Sequence, residues 1–224
     1  MSNNEIMTTN ESVNLPFQIP QLSERAAEQL NGITLDFPQL KVPSAGAIFF
    51  DVDEEPVKEI IGVIVAHKPQ YMYYSTDFDG STNPPDCSSN DGVTGQRLVD
   101  GVEGSEYVEM KCADCPYNEF GSATNGPGKA CKEKHQLYIL SEGRLVPFSL
   151  LLPVSSKKAF NAYTTKLFSR GKFLDEVVTS FTLEKAQNAT GINYSRVVFK
   201  ACRDLNREEY VSIQELLKKF NLGG

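Results

Sequence analysis

Three kinds of apolar pattern run along the chain. The segment 46–74, GAIFFDVDEEPVKEIIGVIVAHKPQYMYY, is rich in Ile, Val, Phe and Tyr and reads as strand. It is expected to break at Glu55-Pro56 and at Lys68-Pro69, because proline cannot donate to a central ladder. QLYIL (136–140) and RLVPFSLLLP (144–153) flank Glu142-Gly143 and predict a hairpin. VVTSFTLEKAQ (177–187) and INYSRVVFKA (192–201), joined through 188–191, predict a second one. Helical spacing marks SSKKAFNAYTTKLFSRGK, where Phe160, Tyr163 and Leu167 share a face. Ser155 or Ser156 is placed to cap that helix, and Gly171 ends it just beyond Arg170. A last helix over about 207–220 carries Tyr210, Ile213, Leu216 and Leu217 as its apolar stripe. A short one is expected over 23–30, with Ser23 as N-cap.

The remaining stretches are polar. Residues 1–20 read as a flexible arm, and from Ser75 to Gly104 the Asp, Ser, Asn, Gly and Pro content is that of a loop. A loop of that length in a compact domain needs something to tie it down, or a function. Several strands, a helix, two strands and a helix make a mainly β (α+β) order. It fits an OB-fold-like Greek-key barrel with a helix before the last hairpin. Strands and helices do not alternate regularly, so a doubly wound sheet fits poorly. The expected organisation is an arm (1–20), a domain over 21–205 with an insertion at about 76–135, and a C-terminal helix over 206–224.

Composition adds limits. At 224 residues and 40% hydrophobic content, one domain with a sizeable core is expected. No apolar run approaches the ~18 residues of a membrane span, and the start, MSNNEIMTTNES, lacks the basic and apolar regions of a signal peptide. A cytoplasmic, non-membrane protein is the expectation, and there cysteines serve as metal ligands or free thiols rather than disulfides. The net charge of −7 is unevenly spread. Residues 1–110 hold five Lys/Arg against eighteen Asp/Glu, whereas 111–224 hold seventeen against eleven. A basic second half suits an anionic partner, although charges of both signs can also intermix on one folded surface.

Four of the five cysteines form a pattern. Cys112-Ala-Asp-Cys115 is a C-x2-C knuckle, and Cys131 follows after fifteen residues. This spacing lets thiolates wrap one tetrahedral zinc ion. The fourth ligand is Cys87, in the upstream loop, or His135, four residues after Cys131. Cys87 is preferred because a ligand there would order the long loop. A set of Cys87, Cys112, Cys115 and Cys131 is closed and therefore structural. An iron–sulfur cluster uses the same donors and is the less favoured alternative. Cys202, at a strand end, reads as a buried inert thiol.

Catalytic patterns are scarce. The sequence has no G-x-S-x-G elbow, no P-loop and no G-x-G-x-x-G. His67 reads as structural. Pro85-Asp86 with Glu109-Met110-Lys111 has the form of a PD…ExK nuclease site, in which carboxylates bind Mg²⁺. Such triplets are common by chance in an acidic chain. A binding role draws on more residues. Tyr71 and Tyr73 share a strand face and could stack on bases. Arg144, Lys157, Lys158, Lys166, Arg196 and Lys200 could follow phosphates. Lys157 and Lys158 oppose the dipole of their helix, and Arg196 and Lys200 project from one strand face. A solvated surface is the simpler role for any one of these cations.

The stretches DCSSNDGVTG, CADCPYNEFGSATNGPGKAC, LPVSSKKAFNAYTTKLFSRG and FTLEKAQNATGINYSRVVFK together resemble a family of phage and mobile-element proteins. The resemblance covers roughly residues 45–200. The family looks like single-stranded DNA-binding proteins with an OB-fold core, some distant members of which carry a structural zinc. It implies a non-catalytic protein that coats single-stranded DNA in replication or recombination. Replication or recombination proteins and further copies of the chain are the implied partners. Many phage single-strand binders end in an acidic tail that recruits partners; this chain ends KKFNLGG. A metal-dependent nuclease and a zinc-knuckle protein-interaction module are the alternatives.

Overall fold

The computed structural model describes Phe17 and residues 36–76, 84–101, 104–124, 126–188 and 191–219. The fold is mainly β. Three short strands, β1 (Leu40–Lys41), β2 (Phe50–Val52) and β3 (Glu55–Val57), form a small antiparallel sheet. Its β2–β3 turn places Asp53 and Glu54 at positive φ, 52° and 69°, as the two-residue turns that match strand twist require.

The spine of the molecule is the fifteen-residue β4 (Glu59–Tyr73). Along one edge it pairs with β8 (Lys132–Ser141) from Gly62 to Met72. Along the other it pairs first with β10 (Val177–Gln187), over Glu59–Thr182 to Val63–Val178. Farther on it pairs with β5 (Cys87–Ser89), from Tyr71 to Tyr73. β9 (Phe148–Leu152) adds to β8, and β11 (Asn193–Asp204) adds to β10, all antiparallel. The broad part of the sheet therefore runs β9-β8-β4-β10-β11. From the far end of β4 a second branch continues through β5, β6 (Thr94–Gly101) and β7 (Gly104–Lys111).

Both faces of the broad sheet are buried, because successive β4 side chains point to opposite sides. Ile60 and Ile64 join Leu137, Ile139, Leu150, Phe181 and Val197 on one side, under α1 (Val154–Phe168). That helix buries Phe160, Tyr163 and Leu167, the stripe expected from its spacing. Val63 and Val65 join Leu140 and Val178 on the other side, under Ile213, Leu216 and Leu217 of α2 (Arg207–Lys219). The C-terminal helix is thus one wall of the domain rather than a segment apart from it. Asn206 caps it: the Glu209 N–H donates to Asn206 Oδ1, and the Asn206 N–H donates to the Glu209 carboxylate.

Several expectations are corrected. Lys68-Pro69 does not break β4. Pro69 opposes His135 of β8 and lies between the stretches that β10 and β5 cover, where among the described residues the second edge of β4 has no strand to receive an N–H. Glu55-Pro56 lies inside β3, a strand of its own. The segment Ser75–Gly104 is not loop throughout, since β5, β6 and the first residue of β7 fall in it. The insertion between β4 and β8 ends at Cys131, earlier than the expected 135. Neither Ser155 nor Ser156 caps α1. Pro153 holds the N-cap position, and the buried Ser156 hydroxyl accepts from the Val197 N–H, tying the helix to β11. Within the expected flexible arm Phe17 is buried, and its N–H donates to Glu209 Oε1 at 2.5 Å. The other residues of 1–20 and the helix expected over 23–30 lie outside the described residues.

Candidate metal centre and surrounding cations

The second branch of the sheet builds the cysteine site by strand alternation. Tyr71 and Tyr73 of β4 oppose Ser89 and Cys87 of β5; Cys87 opposes Arg97 of β6; and Gly95 opposes Met110 of β7. These positions fall on one face. β7 then runs into two 3-10 turns, Cys112–Asp114 and Pro116–Asn118, which carry Cys112, Cys115 and Tyr117 back over that face. Backbone bonds fix the return. The Cys112 N–H donates to the Val93 carbonyl at 2.8 Å, and the Cys131 N–H to the Tyr117 carbonyl at 2.8 Å. Asn118 Nδ2 donates to the Cys112 carbonyl at 2.9 Å.

Cys87, Cys112, Cys115 and Cys131 consequently line one partly open cavity, with no carboxylate among the described residues of its lining. Gly95 leaves space for the sulfurs: a Cβ there would stand 3.0 Å from Cys87 Sγ and 3.6 Å from Cys112 Sγ. Burial, then the other three thiols, pushes the Cys131 thiol up to about 11, against the pull of Lys129. Burial, then Cys115 and Cys112, also raises Cys87. Four sulfurs so close repel one another as thiolates, and a bound cation would remove that penalty. Among the described residues no three His, Cys, Asp or Glu side chains stand as a ready ligand group. The donor set, soft sulfur without oxygen, fits zinc or an iron–sulfur cluster.

His135 is elsewhere. It opposes Pro69 in β8, its Nε2 lies 3.4 Å from Glu133 Oε1, and its ring centroid is 5.5 Å from that of Phe160. Its Nδ1 is buried and has no hydrogen-bond partner among the described residues. Burial holds its pKa below the ordinary value despite Glu133. It does not line the thiol cavity. Sequence reasoning missed Gly95, Arg97, Met110 and Tyr117 as cavity neighbours; the alternation in GQRLVDG and EYVEMK carried the signal.

The binding residues fare unevenly. Tyr71 and Tyr73 do share a face, but it is the wall of the cysteine cavity. Tyr73 stacks on Tyr117 with ring centroids 4.1 Å apart, and Arg97 lies 5.3 Å from the Tyr117 centroid. Lys157, which had no evident stabilising role, is ion-paired with Glu133 at the root of the insertion. Arg196 pairs with Glu184 across β10–β11 at 2.5 Å. Arg144 lies over Phe148, 4.1 Å from its ring centroid. Lys158 and Lys166 on α1 and Lys200 on β11 are exposed. Arg196 and Lys200 keep the same strand face, since the register with β10 is unbroken between them. The nuclease-like set is dispersed. Asp86 accepts from the Ser75 N–H, Glu109 accepts from Gln96 Nε2, and β6 runs between the two carboxylates.

The fold and the site define a mainly β protein with a four-thiol insertion. No family model, no curated protein and no solved structure matches the chain. Among the described residues no helix is long and apolar enough to cross a membrane.

Proposed function

We propose that the chain is a non-catalytic, zinc-stapled single-stranded DNA-binding protein with an OB-like core, working in the cytoplasm in phage or mobile-element replication or recombination. The observation that carries this reading is connectivity. β4, β8 and β9 pair in succession, α1 follows, and β10 and β11 then add to the free edge of β4. A five-stranded OB barrel has this order, with its helix between the third and fourth strands. The cysteine insertion then lies in the connection between the first two barrel strands. Exposed Lys158 and Lys166 on α1, or on the opposite face of the sheet Lys200 with Arg196, would meet phosphates without reading sequence.

Cys87, Cys112, Cys115 and Cys131 would hold the zinc. The ion would supply charge neutralisation and a four-way crosslink, with no open position for substrate. An iron–sulfur cluster would show as visible absorbance of the purified protein. The binding test is a filter titration with single-stranded and duplex DNA at two salt concentrations. Preferential single-strand binding is expected, with log affinity falling against log salt by about 0.7 per phosphate neutralised. A salt-independent affinity would remove the reading, and magnesium-dependent cleavage of the oligonucleotide would replace it with the nuclease one.

A further inference from the structure

Phe120 stands at the tip of the cysteine insertion, 83% exposed, the most exposed of the large apolar side chains described. The turn that presents it is tightly built. Ser122 Oγ bonds the carbonyls of Tyr117 and Glu119 at 3.0 and 2.6 Å, and accepts from the Ala130 N–H at 2.9 Å. The Gly121 and Ala123 N–H groups both reach the Gly128 carbonyl, at 3.0 and 3.1 Å. Gly121 and Gly126 supply the positive φ values that close this turn. The ring therefore projects from an ordered platform rather than from a free tether.

Cations accompany it. Lys129 Nζ lies 5.1 Å from the Phe120 ring centroid and 3.1 Å from Asn118 Oδ1. Lys132 Nζ bonds the Lys129 carbonyl at 2.7 Å, so a second ammonium group is anchored to the backbone of the residue whose own ammonium lies by the ring. Tyr71 and Tyr73, the aromatics expected to stack on bases, are committed to the thiol cavity and to Tyr117. An exposed flat ring with an ammonium beside it presents what an unpaired nucleotide offers complements to: a base face and a phosphate.

We infer that Phe120 is the base-stacking side chain of this protein, with Lys129 and Lys132 meeting the adjacent phosphates of a single-stranded nucleic acid. The inference rests on the single-strand-binding reading and adds to it the residue and the surface used. It also makes the thiol site functional at one remove, because the ligands at Cys115 and Cys131 frame the turn that carries the ring.

The test uses the full chain and a fluorescently labelled oligothymidylate. Phe120→Ala should weaken binding about five- to 150-fold with the salt slope unchanged, since a phenyl ring carries no charge. Lys129→Ala should lower that slope by about 0.7. The chain has no Trp, so Phe120→Trp supplies a single reporter whose emission should be quenched as the oligonucleotide saturates it. If the wild type binds, Phe120→Ala stays within twofold of it and the Phe120→Trp emission does not move, the assignment of Phe120 is wrong while single-strand binding stands. If the wild type does not bind the oligonucleotide even at low salt, both fall.

Discussion

The broad sheet and the cysteine insertion hold themselves together by different means. The sheet β9-β8-β4-β10-β11 has two apolar cores, one on each face, with Phe181, Leu150, Ile139 and Leu137 wholly buried on one side and Ile213 and Val63 on the other. Between residues 74 and 131 the only buried apolar side chains described are Cys112 and Cys131. Hydrophobic burial can hold the first region without help. The second has strand ladders, tight turns and four thiols, but little apolar area to offset the entropy of ordering. Nearby sulfurs that repel as thiolates are a weak staple alone and a strong one around a cation. On the proposed zinc reading, the insertion is ordered by its metal and the sheet by its core.

The largest effect should follow a core truncation. Phe181→Ala should cost about 3–5 kcal/mol and lower the thermal midpoint of the whole chain. A loss confined to the insertion would break the division just drawn.

Loss of a single thiol should act locally. Cys112→Ser or Cys87→Ser should release the metal and open residues 87–131 to limited proteolysis, leaving the cooperative unfolding of the sheet in place. His135→Ala should retain the metal. Metal analysis on each purified variant checks this, and metal loss in His135→Ala alone would move the fourth ligand to that residue.

Much of this architecture is legible from residue patterns, for physical reasons that differ by region. The stripe of α1, the two hairpins and the helix over 207–219 follow from periodicity, because each buries one face against a large core. The strands β5, β6 and β7 escaped, since their turn-forming residues mask an alternation that buries few apolar side chains. Proline at 69 misled because edge coverage along a long strand is set by tertiary pairing, which sequence does not display. Cysteine spacing brought out the thiol set, whereas the tyrosines at 71 and 73 showed their face but not what occupies it. The ion pairs of Lys157 and Arg196 depend on partners twelve or more residues away and were likewise out of reach.

Glu209 offers a sharper contrast on the sheet side. Burial pushes its carboxyl up, but the Arg203 guanidinium and the N–H groups of Asn206 and Phe17 outweigh burial and hold it below the ordinary glutamate value. A depressed folded-state pKa contributes stability above the unfolded value, near 4.5, that is lost as pH falls through the folded one. Acid titration of thermal stability should therefore show a loss below about pH 4.5 that is reduced in Glu209→Gln. That variant should be about 2 kcal/mol less stable at neutral pH, the order expected when hydrogen bonds to a charged group are lost. An acid profile identical to wild type would remove the role given to Glu209.

The smallest effect is expected at Gly95. Gly95→Ala crowds Cys87 Sγ and should weaken metal retention in a chelator competition while the melting of the sheet is unchanged. Full retention would show that the thiols have more room than the cavity suggests.

Hydrogen exchange before and after metal removal tests the central claim most directly. The protein should carry about one zinc per chain, the number one four-ligand set takes. On stripping it with a chelator, amides from Cys87 to Cys131 should lose protection while those of β4 from Ile60 to Val65, β8, β10 and α2 keep theirs. Protein purified without metal whose insertion is nevertheless protected, or a loss of protection that spreads through the sheet, would contradict the division between a metal-ordered insertion and a self-sufficient core.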